Sequence, residues 1–284
     1  MIGTTLKTWV ESTKATLTNL RALAIFAALY VLLLVSLYGF IATREATVWQ
    51  VTVTLILLVL VPAEFFVLQS AILNHVREQK FRWAQILRDA IKLAVITVPI
   101  LLLAWALWAL LNKWQLRFPV PHPPITFPAA APRVQPTHWP SLVFATMRGI
   151  LFGVALPLAA IHLWIEVAGR SVRDTFSGGG QAVLKRIGNV FARAFASESV
   201  LTYALGLIFF VAIPYALLFI PFSVKGTKTD FAVFIMRLVL AFLFMLIGWV
   251  ATVKALASNV SRAPEARQNV APGVSPGGAA LQNS

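Results

Sequence analysis

Three ionisable residues in this chain stand where a membrane-crossing helix would ordinarily carry none. His162 and Glu166 lie in the stretch LPLAAIHLWIEVAGR, residues 156–170. A spacing of four puts both on one helix face, about 6 Å apart at the base. A histidine and a carboxylate so placed can share a proton or supply two ligands to a metal. Glu64 lies in LVPAEFF, two residues after Pro62. Proline removes a backbone donor and frees a carbonyl, so polar groups gather at such kinks. A carboxylate there is expected to be protonated, paired or turned to water.

Glu64, His162 and Glu166 thus form the candidate intramembrane polar site. Glu64 and His162 fall at similar depth in two spans that run the same way, so they are candidates to meet. Glu166 stands near the end of its span, within reach of Arg170 or Arg173, and reads as the polar end of the helix. That leaves Glu64 as the best placed of the three for chemistry.

The elements that must position them are membrane helices. Of 284 residues, 59% are hydrophobic and 12% are charged, half the charge of an ordinary soluble domain. Six apolar runs reach the roughly 20 residues a helix needs to cross the hydrocarbon, at about 22–43, 47–73, 92–112, 142–168, 200–222 and 231–256. Long unbroken runs exclude a β-barrel, whose strands alternate in polarity. The fold expected is an all-α polytopic integral membrane protein, with residues 1–257 forming one six-helix transmembrane domain. The first apolar run lacks a signal-type cleavage site and counts as the first span.

The net charge of +14 would suggest nucleic acid in a soluble chain, but these charges sort by side. Residues 1–21, 75–92, 169–198 and 254–284 hold 16 of the 24 Lys and Arg. By the positive-inside rule both termini are cytoplasmic and the protein is a multi-pass protein of the inner membrane. No nucleic-acid partner is expected.

Each span that leaves the basic side follows an amphipathic leader. Leu6, Val10, Thr13, Leu17 and Leu20 mark the first. Trp83, Leu87 and Ala90 or Ile91 mark the second, opposite Arg82, Arg88, Asp89 and Lys92. Leu184, Ile187, Phe191 and Phe195 mark the third. Such helices lie flat at the membrane boundary. Lys80, Arg82, Arg88, Lys185, Arg186 and Arg193 are the candidate lipid-headgroup contacts. Leader, span and returning span, three times over, suggest a threefold hairpin pseudo-repeat, with Pro62 matching Pro157 and Pro99 matching Pro214.

Other residues carry structural expectations. Arg148 and Arg237 lie a few residues inside spans and are expected to snorkel outward, with anion binding or helix pairing as the alternatives. Gly149 and Gly153 form a small-xxx-small pair that suggests a tight helix contact. Residues 119–140 hold eight prolines, so the outer loop 113–140 should be extended. The tail 258–284 should be disordered, and SGGG at 177–180 should be a flexible joint.

No HExxH, GxxxxGK[ST] or GxGxxG occurs, there is no cysteine, and His122 and His138 have no ligand company. No catalytic residue, metal or cofactor is therefore expected. The function expected is a non-enzymatic accessory, anchoring or scaffold protein, holding anionic lipid headgroups and a protein partner or a second copy of itself. The alternative is a small proton- or cation-coupled transporter or channel using Glu64 and His162. A lipid-modifying enzyme ranks third for want of a nucleophile.

Overall fold

The computed structural model describes residues 2–43, 47–119, 138–168, 179–221 and 227–268. They form helices α1 (Ile2–Leu17), α2 (Leu20–Ala42), α3 (Val48–Glu78), α4 (Trp83–Gln115), α5 (Trp139–Ala168), α6 (Gly179–Ala194), α7 (Ser197–Phe219) and α8 (Thr227–Gln268). No strand occurs among the described residues. Six helices, α2, α3, α4, α5, α7 and α8, are long and apolar enough to cross a membrane. The chain is a polytopic all-α membrane protein.

Consecutive spans pack as antiparallel neighbours: α2 on α3, α3 on α4, α4 on α5, and α7 on α8, with α8 also meeting α3. This alternation places the start of α2, α4 and α7, together with α1 and α6, at one end of the bundle, called here the leader end. Large buried side chains gather toward it, including Phe26, Ile72, Ile86, Leu93, Leu158, Ile161 and Leu256. Nearer the other end Trp49, Val59, Leu101 and Trp105 are exposed, as suits side chains solvated by lipid tails.

Helix α1 lies against α7 and α8. Its buried face is Thr5, Thr8, Trp9, Ser12 and Thr16, while Leu6, Val10 and Leu17 are turned outward. Thr8 and Thr16 bond the carbonyls of Thr4 and Ser12 on their own helix. Small side chains whose hydroxyls are satisfied locally let two backbones approach. Trp9 fills the remaining gap against Phe209, Ala251 and Ala255.

The second leader is not a separate helix. A tight turn at residues 79–82 ends α3, with Gln79 in the left-handed region (φ 54°), and α4 then runs unbroken from Trp83. Nothing interrupts it, because Lys92 is paired to Asp89 at 2.7 Å and needs no aqueous break. Asp89, expected on the polar surface, is buried with that partner. Two further corrections concern the ends of elements. Helix α8 continues to Gln268, well past the expected start of a disordered tail at 258, and Gly179 and Gly180 belong to α6. The proline-rich run 120–137 lies outside the described residues.

Candidate functional site

The structure does not bring the three sequence candidates into one hydrogen-bonded site. Glu64 sits on α3, where its Oε1 accepts from the Ser36 hydroxyl of α2 at 3.0 Å. Its Oε2 is buried and has no hydrogen-bond partner. His162, 3% exposed on α5, has both ring nitrogens occupied. Nδ1 is 3.0 Å from the Leu158 carbonyl and Nε2 is 3.2 Å from the Ser199 hydroxyl of α7. A carbonyl can only accept, so Nδ1 donates and Nε2 accepts from Ser199. A ring so committed ties α5 to α7 and has no lone pair left for a metal.

The two spans do touch, through the Phe65 and Phe66 rings against Trp164. Glu64 and His162, the two candidates to meet, bond different neighbours, Ser36 of α2 and Ser199 of α7. Glu166 accepts from Arg193 of α6 at 3.5 Å. Arg170 and Arg173, its expected partners, lie outside the described residues, as does His122. His138 caps α5, its Nδ1 accepting from the Ser141 backbone. Among the described residues no group of His, Cys, Asp or Glu could hold a metal ion.

The candidate headgroup contacts all fall at the leader end. Lys80, Arg88 and Lys185 are exposed, Arg82 pairs with Glu78 at 3.2 Å, and the Arg186 side chain lies outside the described residues.

Two arginines depart from expectation. Arg148 does not snorkel. Its guanidinium donates to Asn112 Oδ1 at 2.7 Å and Gln115 Oε1 at 2.6 Å, and lies 4.9 Å from the centre of the Trp108 ring. Three residues at the end of α4 thus hold it, which fixes α4 to α5. Arg237 donates to the carbonyls of Leu217 and Ile220 at the close of α7. Those carbonyls have no helical donor, and a cation there also complements the helix dipole.

The close helix contact is also elsewhere. A Cβ on Gly149 or Gly153 would meet nothing within 4 Å. A Cβ on Gly206 of α7 would lie 2.2 Å from Thr252 Oγ1 of α8, and one on Gly248 would lie 3.0 Å from Phe209 Cβ and Phe210 N. The α7–α8 crossing is therefore where glycine is needed.

Sequence reasoning passed over a cavity of about 370 Å³ at the leader end. Thr18, Asn19 and Leu20 border it from the α1–α2 junction, His75 and Gln79 from α3, and Lys254 from α8. His75 is 8% exposed, stacks on Phe81 at 5.1 Å, and its Nδ1 is buried without a partner. Nε2 stands 3.5 Å from Asn19 Nδ2. No local spacing signals this grouping, since its members come from positions 19, 75 and 254 on three helices.

Compared with known proteins, the chain matches no family model, no curated protein and no solved structure.

Proposed function

We propose that this is a non-enzymatic scaffold or anchoring protein of the inner membrane, with both termini cytoplasmic, that holds anionic lipid headgroups at its leader end. One observation carries the reading. At that end Leu6, Val10, Leu17, Trp83, Leu87, Ile91, Phe191 and Phe195 are turned outward beside exposed Lys80, Arg88 and Lys185. Apolar side chains facing out and basic heads beside them are what an anionic bilayer surface rewards. The buried polar residues support the same reading, because His162, Ser199, Trp164 and Thr97 consume their hydrogen bonds on one another or on the backbone. The transporter alternative has less support, since Glu64 and His162 bond to different helices.

The test is lipid enrichment around the full-length protein in vesicles of phosphatidylcholine and phosphatidylglycerol. Replacing Lys80, Arg82, Arg88, Lys185, Arg186 and Arg193 with glutamine should reduce the enrichment of phosphatidylglycerol, each basic residue near such a surface contributing about 1 kcal/mol. Equal enrichment in the two proteins overturns the reading. The mass of the native particle, measured in the same detergent extract, reads out a bound partner or second copy.

A further inference from the structure

We infer that the cavity between Asn19, His75 and Lys254 binds a phosphate group. The inference rests on the headgroup reading above and gives it a specific seat.

The lining has the composition of an anion site. It carries one ammonium, from Lys254, and neutral amide donors from Asn19 and Gln79, with no carboxylate. No hydrogen bond or ion pair engages the partly buried Lys254 head group with any other described residue. A buried or half-buried ammonium without a counter-ion is costly, so an anion arriving here repays more than it would at the open surface. The α2 N-terminus opens onto the same space at Leu20, and its first N–H groups attract negative charge. Asn19 Oδ1 already caps the Ala22 N–H and Nδ2 stands 3.5 Å from His75 Nε2, which leaves the second Nδ2 hydrogen to donate to a ligand.

Two further features mark the cavity as built. His75 is more than nine-tenths buried, lines it, and keeps an unpartnered Nδ1. At the rim, Gln79 holds a left-handed backbone that glycine adopts at no cost and other residues do not. Helices commonly end on glycine at this position. A glutamine there keeps an amide side chain beside the cavity.

The surroundings favour a phosphate carried by a lipid. A second, mainly apolar cavity of about 170 Å³ lies between α2, α3, α7 and α8, lined among others by Leu33, Phe65, Phe210, Leu246 and Trp249, with Gln69 in its wall. Leu246 stands two turns before Lys254 on α8, about 12 Å along the axis. An acyl chain attached to a phosphate at Lys254 reaches that depth.

Lys254 acetylation, followed by peptide mass spectrometry on the wild-type chain in detergent, tests the site without any variant. The probes are phosphatidylglycerol and inorganic phosphate, each alone. Native mass spectrometry then counts phosphatidylglycerol retained by wild type, Lys254→Met and Lys254→Arg. Protection by phosphatidylglycerol but not phosphate is the expected result. Retention should drop about tenfold in Lys254→Met, the loss of one charge-assisted hydrogen bond, and should persist in Lys254→Arg. Protection by inorganic phosphate with no lipid retained keeps the site and assigns it a soluble phosphate. Unprotected Lys254 under both probes overturns the inference. If enrichment at the six basic residues survives that result, the cavity alone fails. If enrichment is absent while Lys254 is protected by phosphate, the headgroup reading fails and the cavity stands.

Discussion

Tyr203 of α7 donates its hydroxyl to the carbonyl of Gly153 on α5 at 3.1 Å, and Gly153 has that carbonyl to offer because of Pro157. In a regular helix the N–H of residue 157 would take it, but proline has none. The Leu156 N–H reaches back five residues to Leu151, making a π turn over Leu151–Ala155. A second π turn, Ile208–Ala212, precedes Pro214 in α7. Helices α5 and α7 thus share a proline that loosens the ladder behind a π turn, and in α5 the neighbouring helix uses the freed acceptor.

Tyr203→Phe should therefore destabilise the protein by about 1 kcal/mol, the worth of one hydrogen bond. In a Pro157→Ala background the same change should cost less, because the alanine supplies the missing backbone donor. Thermal melts of the four proteins in one detergent complete the cycle. Equal losses in both backgrounds would show that Pro157 and Tyr203 act independently.

The two glycine sites make opposite predictions. Gly206→Ala places a methyl 2.2 Å from Thr252 Oγ1 and should cost about 1–3 kcal/mol through overpacking. Gly149→Ala adds a methyl in open space and should be neutral or gain up to about 1 kcal/mol from helix propensity. Melting temperatures that rank the other way would reject the α7–α8 crossing described here.

The spans were legible because crossing hydrocarbon imposes a length and a composition that no other element needs. Orientation about each helix axis was not. On α1 the apolar Leu6, Val10 and Leu17 turn outward, and the face that packs inward is the polar set Thr5, Thr8, Ser12 and Thr16, which no apolar stripe announces. Lipid solvates leucine, so burial there favours small residues that pack closely instead. The same blindness covers Gly149 and Gly153, whose spacing of four says that they share a face and nothing about what that face meets. Glu64 and His162 were found as candidates by their cost in a span, but their partners Ser36 and Ser199 are 28 and 37 positions away. Lone serines in apolar runs carry no local signal of whom they serve. The cavity at Lys254 needed three helices in place before it could be seen at all.

Arg148 separates a snorkelling arginine from a structural one. Arg148→Met keeps an apolar stem but removes the bonds to Asn112 and Gln115 and the contact with Trp108. The expected loss is about 2–3 kcal/mol, since hydrogen bonds to a charged group are among the stronger ones and a cation–π contact adds to them. Arg148→Lys should recover only part of it, because an ammonium cannot hold two acceptors in the fork of a guanidinium. A melt within about 0.5 kcal/mol of wild type, the scale of a surface change, would restore the snorkelling reading.

Glu64 offers the sharpest functional contrast. A glutamine in its place would keep an oxygen to accept from Ser36, so Glu64→Gln should leave the fold intact, whereas Ser36→Ala should cost about 1 kcal/mol in the wild type. If the protein anchors lipid, vesicles containing it should show no proton or cation flux above empty vesicles. Glu64→Gln should then retain as much phosphatidylglycerol as wild type, since Glu64 lies outside the Lys254 cavity. The transporter alternative predicts the reverse pattern: flux in the wild type, lost in Glu64→Gln at unchanged melting temperature. Observing that loss would make the buried, unpartnered Oε2 of Glu64 the working atom of the molecule and retire the scaffold reading.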